Sequence, residues 1–555
     1  MGGKNEIKRI VRERFPKTFP KKNQIDLPAD VAFEYVVEDI NLAWFDFNWK
    51  RMVQNPDTGD WEQDGNKTGR DLIRHLGRNV EHFLNKTSVR KYVVVIDKVR
   101  YVPISKQPEQ RKRDQAKTSF NEKQNVVPLE WRDPNDGKII HLDEELPDMH
   151  ALNANRAARQ QAMREAFTLL TQEVEVPLGK EVIIDGWDED SDVPLRIATT
   201  VKEGVKSAPA PEYRNQTGES DTCIPFYTTA FTREDAERYA KFDPSDREEL
   251  PRHFGGILVI SKDTDMIPIA LMHSEKRRTD RVLPGEEGHP QRFVNEFYLD
   301  LSVKQQIYDQ GYKRVFPELC NVNALYESLM RATEERLNIF SIAAIMMMAG
   351  NDYIDSYTNI THDRFMQVLF GYFRHLGNLF EEKPETLGLH ASAEHYIRVV
   401  CFAHYIKLID QIILRVPKHL KPIFLEENFL SDKLYETNPE IKAIYEAKFP
   451  AELVHISEMT RTEIRDLYNK RNQKNKFPED QVVRERWKRL WWSIEYFWKS
   501  PYVNFEELPD VAKLGWKVVH WDEFPSFPIC LLSEEDELAV KQKMLETKKR
   551  KQALR

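Results

Sequence analysis

The feature that most restricts this chain is a short apolar run, rich in β-branched residues, that recurs and ends beside an acid or a hydroxyl. Phe33 to Val37 runs into Glu38-Asp39, Lys91 to Ile96 meets Asp97, Val182-Ile183-Ile184 meets Asp185, and Gly256 to Ile260 precedes Ser261. Apolar runs without polar alternation are the pattern of strands buried on both faces, as in a parallel sheet. Stretches with helical character lie between them, notably Ala151 to Thr171, and Lys4 to Phe15 forms another that stops at Pro16. Strands alternating with helices predict an α/β core whose mostly parallel central sheet is flanked by helices. Ligands of such sheets gather beyond the carboxyl ends of the strands. The acids fall there.

Along the chain, residues 1–375 read as this core, 376–480 as a helical region and 481–555 as an aromatic-rich segment with a basic tail. Two stretches read as insertions. Residues 186–218 are polar and Pro-rich, with Asp188-Glu189-Asp190 and Ala208-Pro209-Ala210-Pro211, and predict loop; residues 233–252 are charged and predict a short helix. Helical patterns cover Ala324 to Ala349, His362 to Phe380 and His395 to Val416, and no repeat of fixed period is present. No window approaches 18 consecutive apolar residues, which argues against a membrane-spanning helix. The opening Met1-Gly2-Gly3-Lys4-Asn5-Glu6 has neither an apolar signal core nor the hydroxyl that myristoylation requires. Four widely spaced cysteines, Cys223, Cys320, Cys401 and Cys530, fit neither a zinc site nor a disulfide framework. The expectation is an intracellular protein of cytoplasm or nucleus. Insertions around recognisable motifs suit a viral origin as well as a cellular one.

Cleavage of a phosphodiester by two metal ions needs carboxylates that converge from different strands, because cations about 3.5–4 Å apart clamp the attacking and leaving oxygens. Mg²⁺ and Mn²⁺ prefer oxygen ligands, which Asp and Glu supply. The candidates are Asp39, Asp97, the Glu219-x-Asp221 pair, the Asp263-x-Asp265 pair and Asp352, with Asp185, Asp188 and Asp190 as competitors for the Glu219 and Asp221 role. A single Asp at a strand end is more often a helix cap or turn residue. The weight lies in the order of the whole set.

These residues resemble the superfamily of flap endonucleases and 5′→3′ exoribonucleases, and more closely the exoribonuclease (Xrn) branch. Met1-Gly2 through Glu13-Arg14-Phe15-Pro16 is similar to that branch's opening, and Glu38-Asp39-Ile40-Asn41 to the element that supplies its first metal-binding Asp. Val95-Ile96-Asp97 followed by Lys106, Gln110, Arg111 and Arg113 resembles its Asp-then-basic-helix motif. Ser261-Lys262-Asp263-Thr264-Asp265 resembles the paired-Asp motif, and Gly350-Asn351-Asp352-Tyr353 the Gly-Asn-Asp-aromatic motif. Leu490 to Phe497 is loosely similar to a late aromatic helix of the same branch. The resemblance implies a PIN-like 5′-nuclease core, two Mg²⁺ or Mn²⁺ ions on Asp39, Asp97, Glu219, Asp221, Asp263, Asp265 and Asp352, and single-stranded RNA with a 5′-monophosphate as substrate, DNA being the alternative. The sequence departs from the pattern at Lys98, where a Gly usually stands. Phe45, beside Trp44, takes the place of a base-stacking His six positions after the first Asp. An aromatic ring stacks on a base equally well.

From Lys98 to Lys117 there are seven basic residues against two acids, Glu109 and Asp114. Such a run is usually a solvated helix face. Its place just after a strand-end Asp favours capture of a 5′-phosphate by Lys98, Lys106, Gln110, Arg111 and Arg113. Lys106, Gln110 and Arg113 share one helix face at i, i+4, i+7. A net charge of −8 argues against a broadly basic nucleic-acid surface, but acids gathered at one site and bases at another would hide both. The reading is a 5′→3′ exoribonuclease-like hydrolase, with a flap-type DNA endonuclease and an inactive nuclease-fold scaffold as alternatives.

Overall fold

The computed structural model describes residues 4–19, 33–86, 88–98, 126, 129, 137–188, 191–200, 204–215, 217–240, 255–261, 263–279, 292–301, 303–307, 311–315, 319–351, 353–354, 360–383, 388–413 and 480–499. Contacts divide the chain into two compact units rather than at the expected boundary near 375. Met1–Pro16 joins Leu325–Glu495 in one; Lys17–Ala324 joins Tyr496–Arg555 in the other.

The first unit is mainly helical. Helix α1 (Lys4–Arg14) buries Ile7 and Val11, four residues apart and so on one face. It packs on helix His362–Gly371. The Phe15 ring meets Phe370 edge-on at 5.7 Å, and Arg9 Nη2 lies 2.8 Å from Asp363 Oδ1. In the same unit Trp487 is buried against Tyr396 and Phe380, as expected of an aromatic-rich core stretch.

The second unit carries the α/β core. Its 8-stranded sheet contains β1 (Phe33–Asp39), β2 (Lys91–Val95), β3 (Glu181–Asp185), β4 (Leu195–Thr200), β5 (Gly204–Pro209), β6 (Gly256–Ile260), β7 (Glu296–Asp300) and β8 (Leu319–Asn321), in the order β8-β7-β6-β1-β2-β3-β4-β5. The run β7-β6-β1-β2-β3 is parallel throughout, while β8, β4 and β5 are antiparallel additions at the edges. Each apolar run read from the sequence is one of these parallel strands, and β6 is buried along its whole length.

Alternate residues of the strands face opposite layers. Val36, Tyr92, Val94, Val182 and Ile184 join one cluster with Leu72, Leu76 and Phe167, which belong to helices α3 (Gly69–Lys86) and α4 (Arg156–Glu173). On the other face Tyr35 stacks on Phe231 at 4.4 Å, within helix α5 (Ser220–Ala240), which packs against helix α6 (Met266–Arg277). Between β1 and α3 the short helix α2 (Ile40–Asp46) starts directly from the sheet.

One expectation needs correction. Residues 186–218 are not simply loop: β4 and β5 lie inside them and extend the sheet antiparallel. Both mix apolar with polar or small residues, Leu-Arg-Ile-Ala-Thr-Thr and Gly-Val-Lys-Ser-Ala-Pro, so they carry no continuous apolar run. Of the charged stretch 233–252, the part to Ala240 is the end of α5, and 241–252 lie outside the described residues. No described helix is long and apolar enough to cross a membrane.

Candidate metal centre at the strand ends

Because β7, β6, β1, β2 and β3 run in one direction, their carboxyl ends meet along one rim. The order reverses at β1: the chain moves from β1 to β2 and β3 on one side, then to β6 and β7 on the other. A crevice outside the carboxyl ends at such a switch point is the usual ligand site of open α/β sheets. Asp39 closes β1, and Asp97 follows β2 by two residues.

The two carboxylates share their hydrogen-bond donors. The Asn41 amide Nδ2 donates to Asp39 Oδ1 at 3.0 Å and to Asp97 Oδ2 at 3.4 Å. Ser220, the first residue of α5, donates its main-chain N–H to Asp97 Oδ1 at 3.0 Å and its Oγ hydroxyl to Asp39 Oδ2 at 3.2 Å. The Asn41 main-chain N–H adds a bond to Asp39 Oδ1 at 3.1 Å, so Asp39 is also the N-cap of α2. The modest role expected of a strand-end Asp is therefore real, and it coexists with a second one. Burial and then the charge of Asp97 raise the Asp39 carboxyl to about 7. A pair of like charges held together at such a cost is the arrangement a cation relieves.

The helix start brings its neighbours along. Glu219 and Asp221 flank Ser220; both are buried, and Tyr496 Oη donates to Glu219 Oε2 at 3.2 Å. Asp263 and Asp265 follow β6, whose Ile260 pairs with Glu38 of β1. Asp265 is buried at the start of α6 and its N–H donates to Asp263 Oδ1 at 3.0 Å. Among the described residues no group of three or more His, Cys, Asp or Glu is gathered closely enough to hold one ion. The juxtaposition the hydrogen bonds define is the Asp39–Asp97 pair. Asp352 lies outside the described residues, as do Lys106, Gln110, Arg111, Arg113 and Asp190.

Lys98 does not present its ammonium to solvent, contrary to the expectation of phosphate capture. It is 2% exposed, and its Nζ lies 2.6 Å from Asp185 Oδ1, itself on a residue 1% exposed. Asp185 Oδ2 accepts from Asn215 Nδ2 at 2.6 Å, Tyr227 Oη at 2.8 Å and Cys223 Sγ at 3.3 Å. A carboxylate enclosed by an ammonium and three donors is satisfied without metal. The Lys98 N–H also donates to Gly218 O at 2.7 Å, tying the end of β2 to the loop that leads into Ser220. Asp188 is partly buried just after β3.

The aromatic pair separates as well. Trp44 is fully buried against Trp49 and has no face for a base; Phe45 is 50% exposed, with the Arg159 guanidinium 5.7 Å from its ring centre. One helical residue is a turn of about 100°, which carries Phe45 off the buried face that Ile40 and Trp44 share. Asn41 and Ser220 are the members of the site that sequence reasoning passed over. The signal for Asn41 was its position two residues after Asp39; Ser220 had none beyond lying between two acids. The sequence matches no protein-family model and no curated protein.

Proposed function

We propose that the chain is a metal-dependent hydrolase of nucleic-acid phosphodiesters with a PIN-like core, acting from the 5′ end on single-stranded RNA. The observation that carries this is the pairing of Asp39 and Asp97 at the switch point of a parallel sheet, with Asn41 and Ser220 each bonded to both. Two carboxylates on neighbouring strand ends suit Mg²⁺ or Mn²⁺, which take oxygen ligands and keep part of their water. Asp39 and Asp97 would hold the first ion; Glu219 and Asp221, which flank Ser220, and Asp263 and Asp265, which follow the strand paired with β1, would serve the second. Bound there, a divalent cation supplies an acidified water and a counter-charge for the leaving oxygen.

The protein's own part is orientation. Asn41 and Ser220 fix the two carboxylates so that no rotation is needed when charge arrives, and donors of this kind typically change metal affinity or activity by roughly 10–100-fold. The start of α5 favours negative charge near Ser220. Exposed Phe45, with Arg159 beside it, offers a face for a base.

The test uses the full chain with 5′-phosphorylated single-stranded RNA, its 5′-hydroxyl counterpart and a DNA flap, each with Mn²⁺ or Mg²⁺. Shortening of the 5′-phosphorylated RNA is expected, with loss of at least a hundredfold in Asp39→Asn and Asp97→Asn. Cleavage of the flap alone would replace exonuclease by endonuclease. A chain that takes up Mn²⁺ yet cuts none of the three would be a scaffold, and the hydrolase reading would be wrong.

A further inference from the structure

Asp185 is too fully engaged to take a cation, yet it reaches both sides of the Asp39–Asp97 pair. It is the last residue of β3 and pairs with Val95 of β2. Its carbonyl accepts from the Ile96 N–H at 2.9 Å, and its carboxylate Oδ1 lies 2.6 Å from Lys98 Nζ. Asp97 stands between those two residues. Both of its chain neighbours are thus held by this one acid.

The second carboxylate oxygen works on the helix side. Asp185 Oδ2 accepts from Asn215 Nδ2 at 2.6 Å, Cys223 Sγ at 3.3 Å and Tyr227 Oη at 2.8 Å. Cys223 and Tyr227 follow Ser220 in α5 by three and seven residues, so the helix face that carries Ser220 also carries them. Asn215 in turn fixes Thr217, whose N–H and hydroxyl donate to Asn215 Oδ1 at 3.1 and 2.6 Å. The next residue, Gly218, is tied through its carbonyl to the Lys98 N–H at 2.7 Å. The approach to Ser220 and the helix beyond it are therefore pinned to the same carboxylate and its ammonium partner. Ser220 is the residue that donates to both Asp39 and Asp97. Lys98, Asp185, Asn215, Thr217, Cys223 and Tyr227 are all buried, where a lost acceptor leaves its donors unsatisfied.

We propose that Asp185 is a positioning residue of the metal centre, setting Asp97 from the strand side and Ser220 from the helix side without touching the ion. The proposal rests on the metal reading of the acid pair. A buried ion pair adds little net stability over apolar residues of like volume. The oriented acceptor is what an apolar residue does not replace.

Mn²⁺ uptake by the full chain is measured by electron paramagnetic resonance in two double variants that both lack the ion pair. Lys98→Met with Asp185→Asn keeps an acceptor oxygen for Asn215, Cys223 and Tyr227, whereas Lys98→Met with Asp185→Leu removes it. Groups that orient a metal ligand are typically worth about 10–100-fold in affinity, so the Leu form is expected to bind at least tenfold more weakly than the Asn form, which stays within roughly threefold of the parent. Equal weakening of both forms would make Asp185 a ligand or its charge the decisive property, and no weakening of either would leave it a structural residue only; each overturns the proposal. Should the Leu form not fold, Tyr227→Phe with Cys223→Ala removes two donors and spares the carboxylate, and unchanged uptake there overturns it as well. A parent that takes up no Mn²⁺ sinks the metal reading and the proposal together. A parent that binds, with the two forms alike, sinks the proposal alone.

Discussion

Asp39 answers to two demands, a helix that needs its oxygen and a neighbour that repels its charge. Its folded-state pKa, raised to about 7, exceeds the ordinary 3.8, so the folded chain holds this proton more tightly than the unfolded one. The contribution of this group to stability is therefore greatest at acid pH and declines as pH rises through the interval from about 4 to about 7. Metal-free Asp39→Asn should lack this decline and melt higher than the parent at pH 8, while the two converge near pH 4; parallel melting curves at both pH values would refute the assignment. Uptake of Mn²⁺ by the parent should strengthen by about tenfold per pH unit up to about 7, because the ion displaces a proton. Asn replaces that slope by weak, flat binding. At this scale the sequence was partly legible. Asp39 and Asp97 were visible as acids ending apolar runs, and helical periodicity separates Phe45 from Trp44. Lys98 was misread because its partner Asp185 is 87 residues away on another strand, and no local pattern announces such a pairing.

At the scale of elements, the end of β2 is held from two sides. One side is the Lys98–Asp185 pair, buried with both partners almost fully enclosed. Lys98→Met leaves the Asp185 carboxylate buried without its counter-charge, which typically costs about 3–5 kcal/mol. Lys98→Met combined with Asp185→Leu should recover most of that in chemical denaturation, since an apolar pair of similar volume replaces the ions. If the double variant is as unstable as the single one, the pair is not the source of the loss. The other side is Gly186, which leaves β3 at φ +82°; a Cβ there would stand 2.2 Å from the Ile96 carbonyl oxygen. Gly186→Ala must shift the backbone beside Asp97, and a loss of stability above about 1 kcal/mol is expected together with weaker Mn²⁺ uptake. Unchanged uptake would show that the strand end does not position the acid. The parallel strands were legible because burial on both faces leaves unbroken Val and Ile runs. Strands β4 and β5 were not, since their Pro and polar residues look like loop until a neighbouring edge supplies the missing hydrogen bonds.

For the molecule as a whole, contacts assign segments by packing rather than by chain order. Tyr496, Phe497 and Trp498 belong with the sheet, where Phe497 O accepts from His273 Nε2 at 2.6 Å and Trp498 is buried. Burial lowers the His273 pKa well below its usual range, so the ring is neutral and this nitrogen carries the hydrogen. Trp498→Ala is expected to destabilise the chain by about 3–5 kcal/mol, read as an earlier denaturation midpoint. A midpoint that does not move would remove this segment from the core. Such assignments are not legible in a linear reading, because a tail and a distant helix carry no shared pattern until they touch. Asp39 ends the central strand, starts the next helix and faces Asp97 with a single carboxylate. A truncation that removed the side-chain oxygen to escape the repulsion would also unfasten a turn of helix beside the central strand, whereas Asn keeps the cap and gives up only the charge. Folding needs one oxygen of this group and chemistry needs its charge, so only the second can be surrendered alone.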